Sequence, residues 1–191
     1  MSPYDVVLAD PPWDYPESGT GSRTIAAHYP LMSIEAICAL PVRDIVSENA
    51  ALFLWVTFPR LYDAQSVFSA WGFQYKTQAF TWVKLNSNSM GVFTGMGSYT
   101  RSNAEICLLG IRGKMPVAAH DVHSVIMSPI QQHSRKPVDQ FSRIEKLYPN
   151  KNYLEMFARR PRSGWSVFGN EVEGSIRLLT PRAADAIDPR R

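Results

Sequence analysis

The chain has 191 residues, 45% hydrophobic and 19% charged, with a formal net charge of +3. That composition suits one domain with a packed core and excludes global disorder. Its two cysteines, Cys38 and Cys107, are too few for a disulfide scaffold or a cysteine-rich zinc site and point to a reducing compartment.

No apolar run reaches the ~18 residues of a membrane-spanning helix. Residues 1–10 hold acids and no basic cluster, so neither a secretory leader nor a membrane is expected. Residues 4–9 (YDVVLA) form an apolar run broken abruptly by Asp10-Pro11-Pro12, the pattern of a buried strand. Residues 14–30 lack periodicity and read as a loop. Ser33 is the expected N-cap of a short helix with Ile34, Ile37 and Leu40 on one face. Residues 51–56 (ALFLWV) are a second buried strand. Leu61, Ala64, Val67, Phe68 and Trp71 mark a helix closed by Gly72. A third strand spans 79–83, and a long Gly/Ser/Asn loop, functional or disordered, spans 86–102. A fourth strand spans 105–111. Residues 113–134 are irregular, with a short strand near 122–126. Pro137 opens a helix with Val138, Phe141, Ile144 and Leu147 inward. Strands follow at 153–158 and 165–168. The domain is expected over 1–176, with 177–191 a flexible tail.

Apolar strands alternating with helices predict a three-layer α/β fold around a mainly parallel sheet. Ligands of such sheets sit at the C-terminal strand edges. Asp10, Lys84 and Arg159 each follow a strand at that edge.

Asp10-Pro11-Pro12-Trp13 is the most informative tetrapeptide. Consecutive prolines fix the backbone and remove two N–H donors, so the Asp10 and Pro11 carbonyls are expected to lack a competing amide. A carboxylate beside a free carbonyl can grip a planar –NH2 group by both hydrogens. Trp13 offers a face for stacking a base, a contact worth ~1–3 kcal/mol. A mere strand-ending turn explains the same residues about as well on chemistry alone.

The tetrapeptide resembles motif IV of amino-methyltransferases that use S-adenosylmethionine (SAM), in the version of the MT-A70 family of adenine N6-methyltransferases. LFLWVT (52–57), WGF (71–73), TWVK (81–84), NAEICLLGIRG (103–113), RKPVDQFSRIEKLYP (135–149), LEMFAR (154–159) and GWSVFGNE (164–171) follow in that family's order. The likeness covers about residues 5–172. It implies a single-domain, Rossmann-like methyltransferase fold with circularly permuted motif order, in which the strand that opens the cofactor site comes late, at 153–158. It implies SAM as cofactor and no metal. Asp10, Pro11, Pro12 and Trp13 are the implied catalytic corner. Asp10, Pro12, Phe157 and Arg159 are implied cofactor contacts, with Asn170 and Glu171 on the ribose hydroxyls. Taken alone, Arg159 reads better as a surface salt bridge and Asn170 as a turn former.

On the substrate side, Tyr29 lies where the family places an aromatic near the target adenine. Trp82, Lys84 and Asn86 end a strand at the same rim; their plain readings are a core tryptophan, a solvated lysine and a loop asparagine. Residues 135–162 hold eight basic side chains. Arg135, Lys136, Arg143, Lys146, Arg160 and Arg162 are therefore candidates for phosphate contacts. Three departures from the RNA-modifying members set further expectations. The segment before Tyr4 is lacking, so residues near 120–128 are expected to supply a wall of the cofactor pocket. Ala104 replaces a lysine, which leaves Arg101 or Lys136 to meet the cofactor carboxylate. The loop from 159 to 170 is shorter, and no RNA-binding zinc module is seen. His120, Asp121, His123 and His133 match no zinc spacing. The resulting expectation is a cytoplasmic DNA adenine N6-methyltransferase of bacterial or phage type. It would act on double- or single-stranded DNA with the base flipped out, with a homodimer or second subunit left open. An RNA substrate, a non-catalytic binding subunit and an ordinary α/β module are the alternatives.

Overall fold

The computed structural model of the protein describes residues 2–14, 31–89, 91–95, 97, 99–131, 135–169, 172–174, 176 and 178. Strand β1 (Tyr4–Ala9) is buried on both faces, as its unbroken apolar run dictates. Helices α1 (Ile34–Cys38) and α2 (Val42–Ile45) follow. The Ser33 hydroxyl caps α1, accepting from the Ala36 amide at 3.2 Å. Next come β2 (Val46–Val56), a 3-10 turn (Phe58–Arg60), α3 (Ala64–Trp71), β3 (Gln74–Leu85), β4 (Ala104–Arg112) and β5 (Val125–Pro129). Helix α4 (Asp139–Leu147), β6 (Tyr153–Met156) and β7 (Trp165–Phe168) complete the order. β2 and β3 begin earlier than their apolar runs. Gln74 and Tyr75 are exposed yet stay extended because they pair with Ile111 and Gly110 of β4. Ladder bonds rather than burial hold that stretch.

Among the described residues the strands form one seven-stranded sheet, ordered β5-β3-β4-β2-β1-β6-β7. Every pairing is parallel except the two made by β4, which runs antiparallel between β2 and β3. The reversal brings Ala104 opposite Val83 and Ile106 opposite Val56. The N-terminal end of β4 therefore lies at the rim formed by the C-terminal ends of its neighbours.

Helices cover both faces. Ile37, Val42, Val67, Phe68 and Trp71 pack on the face carrying Val7, Leu52 and Leu154. Phe141, Ile144 and Tyr148 pack on the face carrying Leu8, Phe53 and Trp55. Ile176 and Leu178 also join the first face, so the chain is still attached to the core at 178. The rest of the expected tail, 179–191, lies outside the described residues, as does Arg177. No described helix is long and apolar enough to cross a membrane.

Helix α4 is fixed to the sheet by a polar bond in an otherwise apolar layer. The Trp55 indole N–H donates to Gln140 Oε1 at 2.7 Å, and Gln140 is 4% exposed. Gln140→Leu strands that buried donor and is expected to lower stability by about 1–3 kcal/mol, read as a shifted midpoint in urea. An unchanged midpoint would show that the bond contributes nothing.

Candidate active site

The corner after β1 is locked from two sides. Pro11 and Pro12 cannot extend the ladder. The Trp13 amide donates to the Pro11 carbonyl at 2.8 Å, and the Met32 amide to the Pro12 carbonyl at 2.8 Å. The Pro11 carbonyl is thus not free of a competing amide, contrary to the sequence expectation; the turn uses one lone pair and leaves the other. Arg60 clamps the exit of the corner, donating from Nε to the Asp14 carbonyl at 2.7 Å and from Nη2 to Asp14 Oδ1 at 2.8 Å. Trp13 does not present its face to the rim. It is 3% exposed within the first core face, and its Nε1 donates to the Trp55 carbonyl at 3.0 Å. It anchors the corner.

Asp10 stands at the end of a chain of alternating charges. Lys136 Nζ donates to both Asp10 carboxylate oxygens at 2.7 Å and lies 3.1 Å from Glu105 Oε2. Glu105 in turn pairs through Oε1 with Lys84. The Lys136 ammonium lies 5.5 Å from the centre of the Trp55 ring and the Lys84 ammonium 5.2 Å from that of Trp82. Burial pushes both carboxyls up in pKa, and the outcome differs with how strongly the neighbouring cations oppose it. Glu105, between two ammonium groups, is held below its ordinary value. Asp10, opposed by Lys136 and crowded by Glu105, stays above its ordinary value. Burial works against the Lys136 charge, but Asp10 and Glu105 outweigh it and raise its pKa.

A cleft of ≈ 620 Å³ opens beside this chain, lined by Asp10, Lys136, Glu155, Phe157 and Arg159 among others. Phe157 sits at φ 62, a strained turn for a non-glycine residue that takes the chain out of β6 and toward the cleft. The Ala158 amide donates to the Phe168 carbonyl at 2.9 Å, and a Cβ on Gly169 would lie 2.1 Å from the Ala158 carbonyl oxygen. Gly169 is therefore pinned to the end of β6. Asn170, Glu171 and Tyr29 themselves lie outside the described residues.

The remaining expected residues are sorted by the fold. Trp82 is core, 1% exposed, with Nε1 donating to the Ser128 carbonyl at 3.1 Å. Lys84 is turned toward Glu105, and Asn86 caps a turn, donating to the Val92 carbonyl at 3.4 Å. Lys136 faces Asp10 instead of an outer surface. Arg143 pairs with Asp139, Lys146 with Asp121 and Arg162 with Glu145. Of the basic segment, Arg135 and Arg160 stand exposed at the cleft mouth. His120 and His123 are exposed, and His133 lies outside the described residues. Residues 120–128 are not among those that line the cleft. Gln131, Arg135 and Val138 form that wall instead.

Glu105 and Glu155 were missed by the sequence reading. Their signal was a carboxylate inside an apolar strand run, where an unpaired charge has no structural reason to be.

The MT-A70 family model matches residues 4–171. The chain belongs to the MT-A70 family. Members of this family are N6-adenine methyltransferases, and methyl transfer is the activity that membership assigns. This MT-A70 chain is 32% identical over 202 residues to the Type II methyltransferase M.MunI of Mycoplasma sp, an alignment covering 95% of the chain and 84% of that protein. It is 29% identical over 182 residues to the N(6)-adenosine-methyltransferase MT-A70-like of Arabidopsis thaliana, covering 94% of the chain and 25% of that protein. With the N(6)-adenosine-methyltransferase catalytic subunit METTL3 of Homo sapiens the identity is 27% over 185 residues, covering 95% and 30%. The chain thus spans only a quarter to a third of the plant and human relatives.

Burial, then the nearby Asp10 charge, push the Glu155 carboxyl up to about 7. Folding therefore favours its protonated form. From its ordinary value of 4.5 up to about 7 the folded state holds the extra proton, so stability falls as pH rises through that window. Glu155→Gln should gain more melting temperature over the parent at pH 8 than at pH 5. Equal gains at both pH values, by calorimetry, would refute this.

Proposed function

We propose that the protein methylates the N6 amine of adenine in DNA, with SAM as methyl donor. The observation that carries this reading is the Asp10–Lys136 pair at the floor of the cleft, 2.7 Å apart and backed by a proline-fixed corner. An α-amino acid end carries one ammonium and one carboxylate. It fits a place where a half-buried acid and a largely buried base already oppose each other, Asp10 receiving the ammonium and Lys136 the carboxylate. Phe157 offers an apolar wall, and Arg159, Asn170 and Glu171 are the polar groups assigned to the remainder of the cofactor. When bound, SAM supplies an electrophilic methyl group on sulfur.

The chain's own part is positioning. Asp10 and the remaining lone pair of the Pro11 carbonyl accept the two hydrogens of the adenine amine and aim its nitrogen. No strong general base is needed first, because the methylated amine is acidic and sheds its proton afterwards. Asp10, whose proton affinity burial has raised, is the acceptor. Holding the amine in line is worth orders of magnitude in rate. Arg135 and Arg160 at the cleft mouth are the phosphate contacts this reading favours. DNA is preferred over RNA because likeness to the type II enzyme runs through 84% of that protein, whereas the adenosine enzymes share a quarter to a third of theirs. A bacterial or phage-infected cytoplasm is the setting that goes with it.

Asp10→Ala should lower methyl transfer from labelled SAM to DNA at least ~100-fold while circular dichroism stays native. Normal turnover by that variant would falsify the role given to Asp10. DNA affinity should fall steeply with salt, and Arg135→Ala and Arg160→Ala should each reduce the log–log salt slope by about 0.9. A slope unchanged in both variants removes them from the interface.

A further inference from the structure

The connection between β3 and β4 is a projection rooted in the charge chain. Its two roots are Lys84, next to the end of β3, and Glu105, at the start of β4, and these side chains are ion-paired. The Lys84 amide donates to the Asn103 carbonyl at 2.8 Å, and the Phe93 amide to the Lys84 carbonyl at 2.8 Å. Val92 bridges back to Leu85. Beyond this base the backbones touch. A Cβ on Gly95 would lie 2.0 Å from the Ser102 carbonyl oxygen, and one on Gly97 2.1 Å from that of Thr100. Only glycine lets the two arms approach so closely. Between Gly97 and Thr100 stands Tyr99, a fully exposed aromatic ring. Residues 86–104 contain no Asp or Glu and one basic residue, Arg101, so nothing in the projection repels a polyanion.

We propose that this projection is a finger that enters double-stranded DNA, and that Tyr99 fills the gap left by the flipped adenine. The inference rests on the DNA-methylating reading above. Extrusion of a base from a duplex breaks its stacking on both neighbours. A flat ring carried into the vacancy restores stacking contacts to both. A slim glycine-lined stem suits such an entry. Its roots meet the charge chain that ends at Asp10, so a ring placed in the duplex and a base placed at the corner are held by one rim. A single strand leaves no vacancy to fill, and Tyr99 has no task there.

The test is methylation of a pool of 40-nucleotide oligomers with labelled SAM, single-stranded and annealed, by the parent protein, Tyr99→Ala and Tyr99→Phe. Tyr99→Ala is expected to lose roughly 10- to 100-fold in kcat/KM on the duplex and to stay within about 2-fold on the single strand. Tyr99→Phe, which keeps the ring, restores the duplex rate. Parent-like duplex activity in Tyr99→Ala overturns the finger alone, as does an equal loss on both substrates or failure of the phenylalanine to rescue. A parent protein inert on both DNA forms brings down the DNA reading and the finger together.

Discussion

Two carboxylates and two ammonium groups share a half-buried rim, and their mutual neutrality is the condition on which the site stands. Lys136 is bonded to both oxygens of Asp10 and touches Glu105; Lys84 completes the chain. Removing any one member unbalances the charge of the partly buried set, although such a pair adds little net stability compared with apolar packing. Such an arrangement is hard to explain as scaffolding. It makes better sense as a set of charges whose partners are exchangeable. A ligand with its own ammonium and carboxylate can replace the internal contact between Asp10 and Lys136 without leaving either group unpaired.

The fold delivers these four groups through one reversed strand. Asp10 and Lys84 come from the C-terminal side of parallel strands, and Lys136 from the segment that leads into α4. Glu105 could not join them if β4 ran with its neighbours, because it would then lie at the opposite edge. The corner itself is held by atoms that do no chemistry. Trp13 buries its ring and spends its N–H on the Trp55 carbonyl, and Arg60 grips Asp14 at the exit. The tryptophan of the motif thus acts through position, keeping the two prolines and Asp10 where the cleft opens.

Hydropathy marked most of the strands and helices because apolar runs and buried surfaces coincide along β1, β6 and β7. It could not mark Gln74 to Gln78, where ladder bonds hold an exposed segment, nor the direction of β4, since an apolar strand reads alike both ways. That blindness to direction hid Glu105. Sequence leaves Lys136 two readings, a phosphate contact from its basic neighbours and a partner for the cofactor carboxylate; the fold turns it inward onto Asp10 while Arg135, one residue earlier, is exposed. Trp82 was ambiguous for a physical reason, since a ring at a strand end can serve core or cleft, and the Ser128 carbonyl decides for core. The wall expected at 120–128 falls instead just beyond β5, at Gln131, because sequence does not reveal which end of that strand meets the cleft. The ordered motifs carried the family, and the spatial order of the strands carried the site.

The rim divides into two sides joined by the charge chain. On the β1–β6 side, Asp10, Glu155, Phe157 and Arg159 enclose a cleft deep enough for a small molecule. On the β3–β4 side the surface runs out into an exposed, acid-free extension suited to a large anion. Glu105 belongs to both, bonded to Lys136 on one flank and Lys84 on the other. Charge rearranged at the cleft therefore alters the field at the foot of the extension: if Lys136 turns to a bound carboxylate, Glu105 loses one of the two cations that keep it ionised and leans on Lys84.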